Sequence, residues 1–344
     1  MRNTLIKSNQ ESEGELKNPV RAAQIINFME STNASMRLDK FRESIGPDDF
    51  DALLTDKMNA RLAQGWGRWD ISWENLVTVA EQPDMLDNYV YRVGAFNKID
   101  KLEDTGGTFQ EFDSPQDAEI SYSVDGFGNL LVAEFKSMKS DRLNWFGRVS
   151  EKAGKAASKR FYHFLFVNKL QDNPTVDDGN ALFDETNHGN DLDGAGDGVD
   201  LTYSNLESAW EKMSGQTDDR GDPIFVRGAY LVVGEKNEFA ARSLINSEKN
   251  PDSNNNENNF FFNKLEVVVV PWLENDWYLW ADNSTVETIE IGFLDGNTEP
   301  NLYMLNPEVS DTYFKTKKNM WRVEHYYGGE WIDWRGVVRG SQDV

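Results

Sequence analysis

Hydrophobic and polar positions change period near residue 136, and the chain is organised around that change. From Ala118 the segment AEISYSVDGFGNLLVAEF alternates Ile120, Tyr122 and Val124 with Ser121, Ser123 and Asp125, the two-residue repeat of a half-buried strand. From Leu143 onward Phe146, Val149, Ala153, Ala156, Ala157, Phe161, Phe164 and Leu165 recur at three- and four-residue steps, so they form one apolar stripe along a helix that ends by Leu170. A helix of about 28 residues is about 42 Å long at 1.5 Å per residue. Neither Pro nor a linker separates ribbon from helix, and the small residues Ala153, Gly154, Ala156 and Ala157 in mid-helix allow something to pack closely there.

The pattern before this segment is weaker. Residues 1–18 have little to bury and read as an arm. A short amphipathic helix follows Pro19, with Ala22, Ala23, Ile25, Ile26 and Met29 on its apolar side. A second helix opens at Gly46-Pro47-Asp48-Asp49, with acids at the positive end of the dipole, carries Phe50, Leu53, Leu54, Met58 and Leu62 on one face, and stops at Gly65. Trp66, Trp69 and Trp73 then fall close together; they suit either a staple onto a core or a platform for a sugar ring, the staple being the commoner use. From Val90 to Phe112 two extended flanks surround Gly106-Gly107, a long hairpin or finger. It carries Lys98, Lys101, Glu103, Asp104 and Glu111 and too few apolar residues to close a core, so another surface must hold it, of this chain or of a neighbour.

After Leu170 a segment of about thirty residues, QDNPTVDDGNALFDETNHGNDLDGAGDGVD, is rich in Gly, Asp and Asn and reads as a tethered or functional loop. Asp191, Asp193 and Asp197 do not keep the ligand spacing of a calcium-binding hand, so turns are the expected use. A helix follows around LESAWEKM, with Thr202 or Ser204 as its cap. The remaining text alternates strands (VRGAYLVV, LEVVVVPWL, WYLWAD, ETIEIGFL, PNLYML) with the helix EKNEFAARSLI. The tail FKTKKNMWRVEHYYGGEWIDWRGVVRG reads as a hairpin turning at Gly328-Gly329.

Composition narrows the function. A chain of 344 residues is long enough for two packed units, or one core with long appendages. A formal charge of −24 argues against gripping nucleic acid or an anionic membrane through the bulk surface. There is no cysteine, hence no disulfide framework and no thiolate metal site. No run approaches the ~20 apolar residues of a membrane span, and the polar start lacks the apolar core of a signal peptide; a soluble protein used in a cytoplasm is expected. The three histidines, His163, His188 and His325, lie in separate segments, and no nucleophile elbow, zinc-protease or phosphate-loop pattern accompanies them. An enzyme is not the expected reading.

The order of elements resembles the Hong Kong 97 fold of tailed-phage major capsid proteins, an α+β architecture with an N-terminal arm, an extended loop, a peripheral domain with a long spine helix, and an axial domain. Within it the text is similar to the family of the phage Mu major head subunit. The likeness rests on DGNALFDETNHGN (178–190), VRGAYLVVGEKNEFAARSLI (226–245), NKLEVVVVPWLENDWYLWAD (263–282), WRVEHYYGG (321–329) and DWRG (333–336). The resemblance implies an arm over 1–65, a connection over 66–89, an extended loop over 90–120, the ribbon and spine helix of the peripheral domain over 121–171, an axial domain over 172–305, and a C-terminal return to the peripheral domain over 306–344. It implies hexamers and pentamers of an icosahedral shell around double-stranded DNA, weakly contacted, inside a virion assembled in the host cytoplasm, with a portal and, in some relatives, scaffolding, protease and decoration partners. No cofactor or membrane is implied. Inter-subunit contacts are expected from Lys98, Lys101, Glu103, Asp104, Gly106 and Gly107, and packing of the spine from Phe146, Val149, Ala153, Ala157, Phe161 and Phe164. Arg148, Lys152, Lys155 and Lys159, beside Arg160, make either a lumen-facing basic row or a solvated helix face. Some shells of this fold join a lysine of the extended loop to a neighbour's asparagine; Lys98 and Lys101 are the residues at that place. An encapsulin-like protein compartment and a monomeric sugar- or calcium-binding module are the alternatives.

Overall fold

The computed structural model describes residues 47–69, 71–96, 98, 99, 101, 109, 111, 112, 117–134, 145–192, 198–253, 255–305 and 315–340. Helix α1, Pro47–Trp66, starts at the expected proline and crosses the spine helix α2, Trp145–Tyr162. The spine continues without a break into His163–Gln171, but in the wider π geometry, which turns Leu165, Phe166 and Leu170 into the core. The exit is left-handed at Asn173, whose side chain receives the Phe183 N–H at 2.7 Å and donates to the Phe183 carbonyl at 3.1 Å.

Between the two helices run β1 (Thr78–Gln82), β2 (Asn88–Val93), β3 (Asp117–Tyr122) and β4 (Asp125–Glu134). Beyond the spine come α3 (Tyr203–Ser214), β5 (Gly228–Val233), α4 (Glu238–Asn246), β6 (Glu266–Val269), β7 (Trp277–Ala281), β8 (Ile289–Leu294), β9 (Asn301–Met304), β10 (Lys318–Trp331) and β11 (Val337–Gly340). Thr202 caps α3 by accepting the Asn205 N–H at 3.2 Å. One sheet has the order β1-β8-β10-β4, with β9 also on β10; a second has the order β11-β7-β5-β6; β2 and β3 pair only with each other.

The largest buried cluster joins these units. It takes Phe161, Leu165 and Phe166 from the spine, Tyr278 and Trp280 from β7, Phe293 from β8, and Tyr327 and Trp331 from β10. Trp66 and Trp73 are buried in it and Trp69 packs on Trp272 at 5.3 Å between ring centroids, so the tryptophan triplet is a staple and offers no open sugar platform.

Two expectations are corrected. Gly328-Gly329 is no turn: β10 is one strand of 14 residues that runs straight through it. The glycines are there for close approach, since a Cβ on Gly328 would overlap the Ser123 carbonyl and one on Gly329 the Glu290 carbonyl. The alternating stretch around Ile120 is the return leg of the finger, paired with β2, and the ribbon that precedes the spine is formed by β4 with β10 instead. The sheets interleave along the chain: β8 and β9 share a sheet with β4 and β10, while β11 closes the other.

Candidate assembly surfaces

The finger stands on a fixed root. Ile120 and Tyr122 turn inward, and the Tyr122 hydroxyl donates to Glu290 at 2.6 Å while accepting from Gln82 at 2.9 Å. Burial, together with the Glu290 carboxylate, raises the Tyr122 pKa far above that of a free phenol. Arg92 reaches Asp177 at 3.1 Å and the Ile332 carbonyl at 3.3 Å, and Arg220 donates to the Ala95 carbonyl at 2.8 Å. On the other face the period of two puts Tyr89, Tyr91 and Val93 into solvent; farther out Phe96 and Phe112 contact each other, and Ile99 and Phe109 are 86% and 83% exposed.

The expected contact residues of the finger divide. Lys98 makes an exposed ion pair with Asp222 of its own chain at 2.5 Å, and hydrogen bonding to that carboxylate raises its pKa. Its amine is therefore engaged within its own chain. Lys101 is exposed. Glu103, Asp104, Gly106 and Gly107 lie outside the described residues.

The spine stripe has two partners. Phe146 is buried against Trp321 at 5.7 Å, with Ala153 beside it in a cluster with Met58 and Leu62 of α1. Ala157, Phe161 and Phe164 meet the aromatic core, Phe161 lying 4.7 Å from Trp73 and 5.1 Å from Tyr327; Val149 is half-buried. Helix 47–66, expected as part of an arm, thus packs on the spine of its own chain. Of the basic row, Lys155 pairs with Glu151 at 3.1 Å, and Glu151 also receives Arg68 at 2.8 Å, whereas Arg148, Lys152 and Lys159 are exposed. Arg160 lies over the Phe127 ring. Ala157→Glu sets a carboxylate against the aromatic core and should lower stability by about 2 kcal/mol, read from urea unfolding; an unchanged midpoint would mean that this part of the stripe is not packed.

The acidic loop is tied down by its own turns. His188 is buried, stacks on Trp334 at 4.1 Å, and faces the Leu182 carbonyl at 3.0 Å and Asp178 at 2.8 Å. Burial opposes ionisation of Asp178, but hydrogen bonds from His188 and Asn180 outweigh it and bring its pKa to about 2. Asn190 accepts the Asp184 N–H and donates to the Leu182 carbonyl. Asp191 forms a two-pronged pair with Arg339 of β11, at 3.1 and 2.6 Å. The segments 178–190 and 333–336, far apart in sequence, thus meet as one clamp. No helix among the described residues is long and apolar enough to cross a membrane, and no group of three metal-ligating side chains converges among them.

A long helix laid across a strand sheet, a projecting two-stranded finger and a second sheet sharing the core together define a shell-subunit architecture. A family model described as phage capsid protein matches residues 117–340; the chain belongs to the phage capsid protein family. The capsid of the cyanophage P-SCSP1u is 11% identical, with 78% of this chain and 87% of that chain covered and a TM-score of 0.52, which establishes the Hong Kong 97-type fold. Structures from Mycobacterium phage Adephagia (11% identity, 83% and 90% covered, TM-score 0.49) and of a virus-like particle from Pyrococcus furiosus (13%, 83% and 98%, TM-score 0.47) are also similar. No curated protein matches the chain.

Proposed function

We propose that this protein is the major head subunit of a tailed phage, related to the head subunit of phage Mu, and that its copies form the hexamers and pentamers of an icosahedral shell around double-stranded DNA. The observation that carries this reading beyond family membership is the finger. Its root is locked to its own body while Tyr89, Tyr91, Val93, Ile99 and Phe109 face solvent, an apolar stripe that a monomer has no reason to keep. The finger of residues 90–120 lies over a neighbouring subunit, the spine helix with the five-stranded sheet forms the peripheral unit, and the four-stranded sheet turns toward the capsomer centre. The residues before Pro47 act as the arm. The charge of −24 suits a container that must not adhere to its polyanionic content, and Arg148, Lys152 and Lys159 are the solvated face of the spine. The role is structural, with neither catalysis nor a cofactor; portal, scaffolding, protease and decoration proteins are the partners of assembly in the host cytoplasm.

Electron microscopy and size exclusion of the purified protein test this: shells are expected, and a discrete monomer at micromolar concentration would overturn the reading. Nucleic acid in natively purified particles separates a phage head from a compartment loaded with protein. The double variant Ile99→Asp, Phe109→Asp should leave the unfolding free energy within about 0.5 kcal/mol of wild type and cut particle yield by about tenfold or more; full yield would remove the finger from the interface.

A further inference from the structure

β4 is the outer strand of the five-stranded sheet. β10 pairs with it from Lys318↔Glu134 to Tyr327↔Asp125 without a register shift, and among the described residues no strand pairs with its other side. Isolated proteins blunt such an edge with proline, lysine or a bulge. β4, DGFGNLLVAE, has none of these, and Leu130 (68% exposed) and Val132 (46%) stand in solvent on one face. Three other edges are managed. The Arg339 N–H binds the Asn190 carbonyl and the Leu192 N–H the Arg339 carbonyl, so the acidic loop covers β11. β6 has four residues and packs under α4, and β1 has five with Glu81 exposed.

We propose that β4 pairs antiparallel with β4 of a second copy, about a twofold axis perpendicular to the sheet and midway between Leu131 and Leu131 of the partner subunit. The inference rests on the shell reading and specifies one of its contacts. In this register Leu130 opposes Val132 of the partner subunit and Val132 opposes Leu130 of the partner subunit, so all four exposed apolar side chains meet on one face. On the same face Glu134 opposes Gly128 of the partner subunit, on the other Asn129 opposes Ala133 of the partner subunit, and no like charges confront each other. Slips that keep the faces matched move by two residues. One places Leu130 against Glu134 of the partner subunit; the other leaves Val132 over Gly128 of the partner subunit. The chosen register is thus the one that covers both apolar pairs. A perpendicular axis keeps α1 and α2 of both copies on one side of the continuous sheet. A lone strand pair is too small to hold a free dimer, so the contact forms between subunits already held in a particle.

The chain has no cysteine, so introduced thiols report without background. Leu130→Cys and Val132→Cys chains are co-assembled in equal amounts, oxidised, and run on a non-reducing gel. Opposed residues place their Cβ atoms at ~4.5–5.5 Å, whereas like residues sit diagonally at ~7–8 Å. Mixed particles should therefore give a disulfide dimer several-fold in excess of particles made from either variant alone. Particles without that dimer, or equal cross-linking from a single variant, overturn the pairing while leaving the shell reading intact; a wild-type protein that never assembles overturns the shell reading itself. Leu130→Lys, at an exposed position, should fold with an unchanged melting curve and lose most particle yield, and wild-type yield from it also sinks the proposal.

Discussion

Gly154→Val should lower the free energy of unfolding by about 3 kcal/mol or more. On helix propensity alone, replacing a mid-helix glycine ought to stabilise, by about 1 kcal/mol for alanine. Close approach reverses the sign. A Cβ on Gly154 would overlap the Leu62 carbonyl and come within 2.8 Å of the Trp66 backbone nitrogen, and one on Gly65 would overlap the Glu151 carbonyl. The obstacles are backbone atoms, with no flexible side chain to give way. The helices α1 and α2 would have to separate, opening the cluster of Met58, Leu62, Phe146 and Trp321. Gly67→Ala is the control, because its nearest neighbour, the Ala63 carbonyl, lies 3.7 Å from the added Cβ. Urea midpoints decide the matter: Gly154→Val unfolding with wild type would mean that the helices are not in contact.

The second large effect is acid sensitivity at His325. This ring is buried on β10 among Trp66 at 4.9 Å, Phe293 at 5.6 Å and Tyr327 at 4.8 Å, and neither nitrogen has a hydrogen-bond partner of good geometry. Burial brings its pKa down from 6.5 to about 4, against a weak opposing pull from the backbone of Asn297 and Thr298. The unfolded chain therefore binds this proton before the folded one does. The contribution to stability is full above the unfolded value of 6.5 and falls as pH drops toward about 4, by about 3 kcal/mol in all. His325→Leu should cost about 1 kcal/mol at pH 7 through lost ring contacts. It should also flatten the decline between pH 6.5 and pH 4 relative to wild type. Parallel pH profiles for the two proteins would show that His325 does not carry the acid response.

Period and length carried much of the fold into the sequence. The spine stripe, the Pro47 start and the Thr202 cap are local signals, and each is set by a backbone rule that operates within a few residues. What escaped reading depends on distant partners. Gly328-Gly329 has the composition of a turn, and only Ser123, in the link between β3 and β4, and Glu290 on β8 make it a place of close approach. The pairing of β3 with β2, in preference to β4, is decided by the finger, which sequence alternation does not reveal. Gly154 with its alanine neighbours signalled close packing, but not that α1 is what packs there. The Asp191 to Arg339 clamp and the Tyr122, Gln82 and Glu290 chain join residues that no spacing rule connects. Among candidate contact residues, the charges of the finger were visible in sequence while its exposed apolar stripe required knowing which face the root buries.

The passage of β10 through one sheet and of β11 into the other has a consequence for synthesis on the ribosome. Within the described residues β4 and β9 hydrogen-bond as strands only to β10, and β11 lies on β7. Until residue 331 has left the exit tunnel, β4 waits about 190 residues for its partner, a separation that makes folding slow and late. A nascent chain therefore displays neither a finished five-stranded sheet nor a finished four-stranded one until β10 and β11 have emerged.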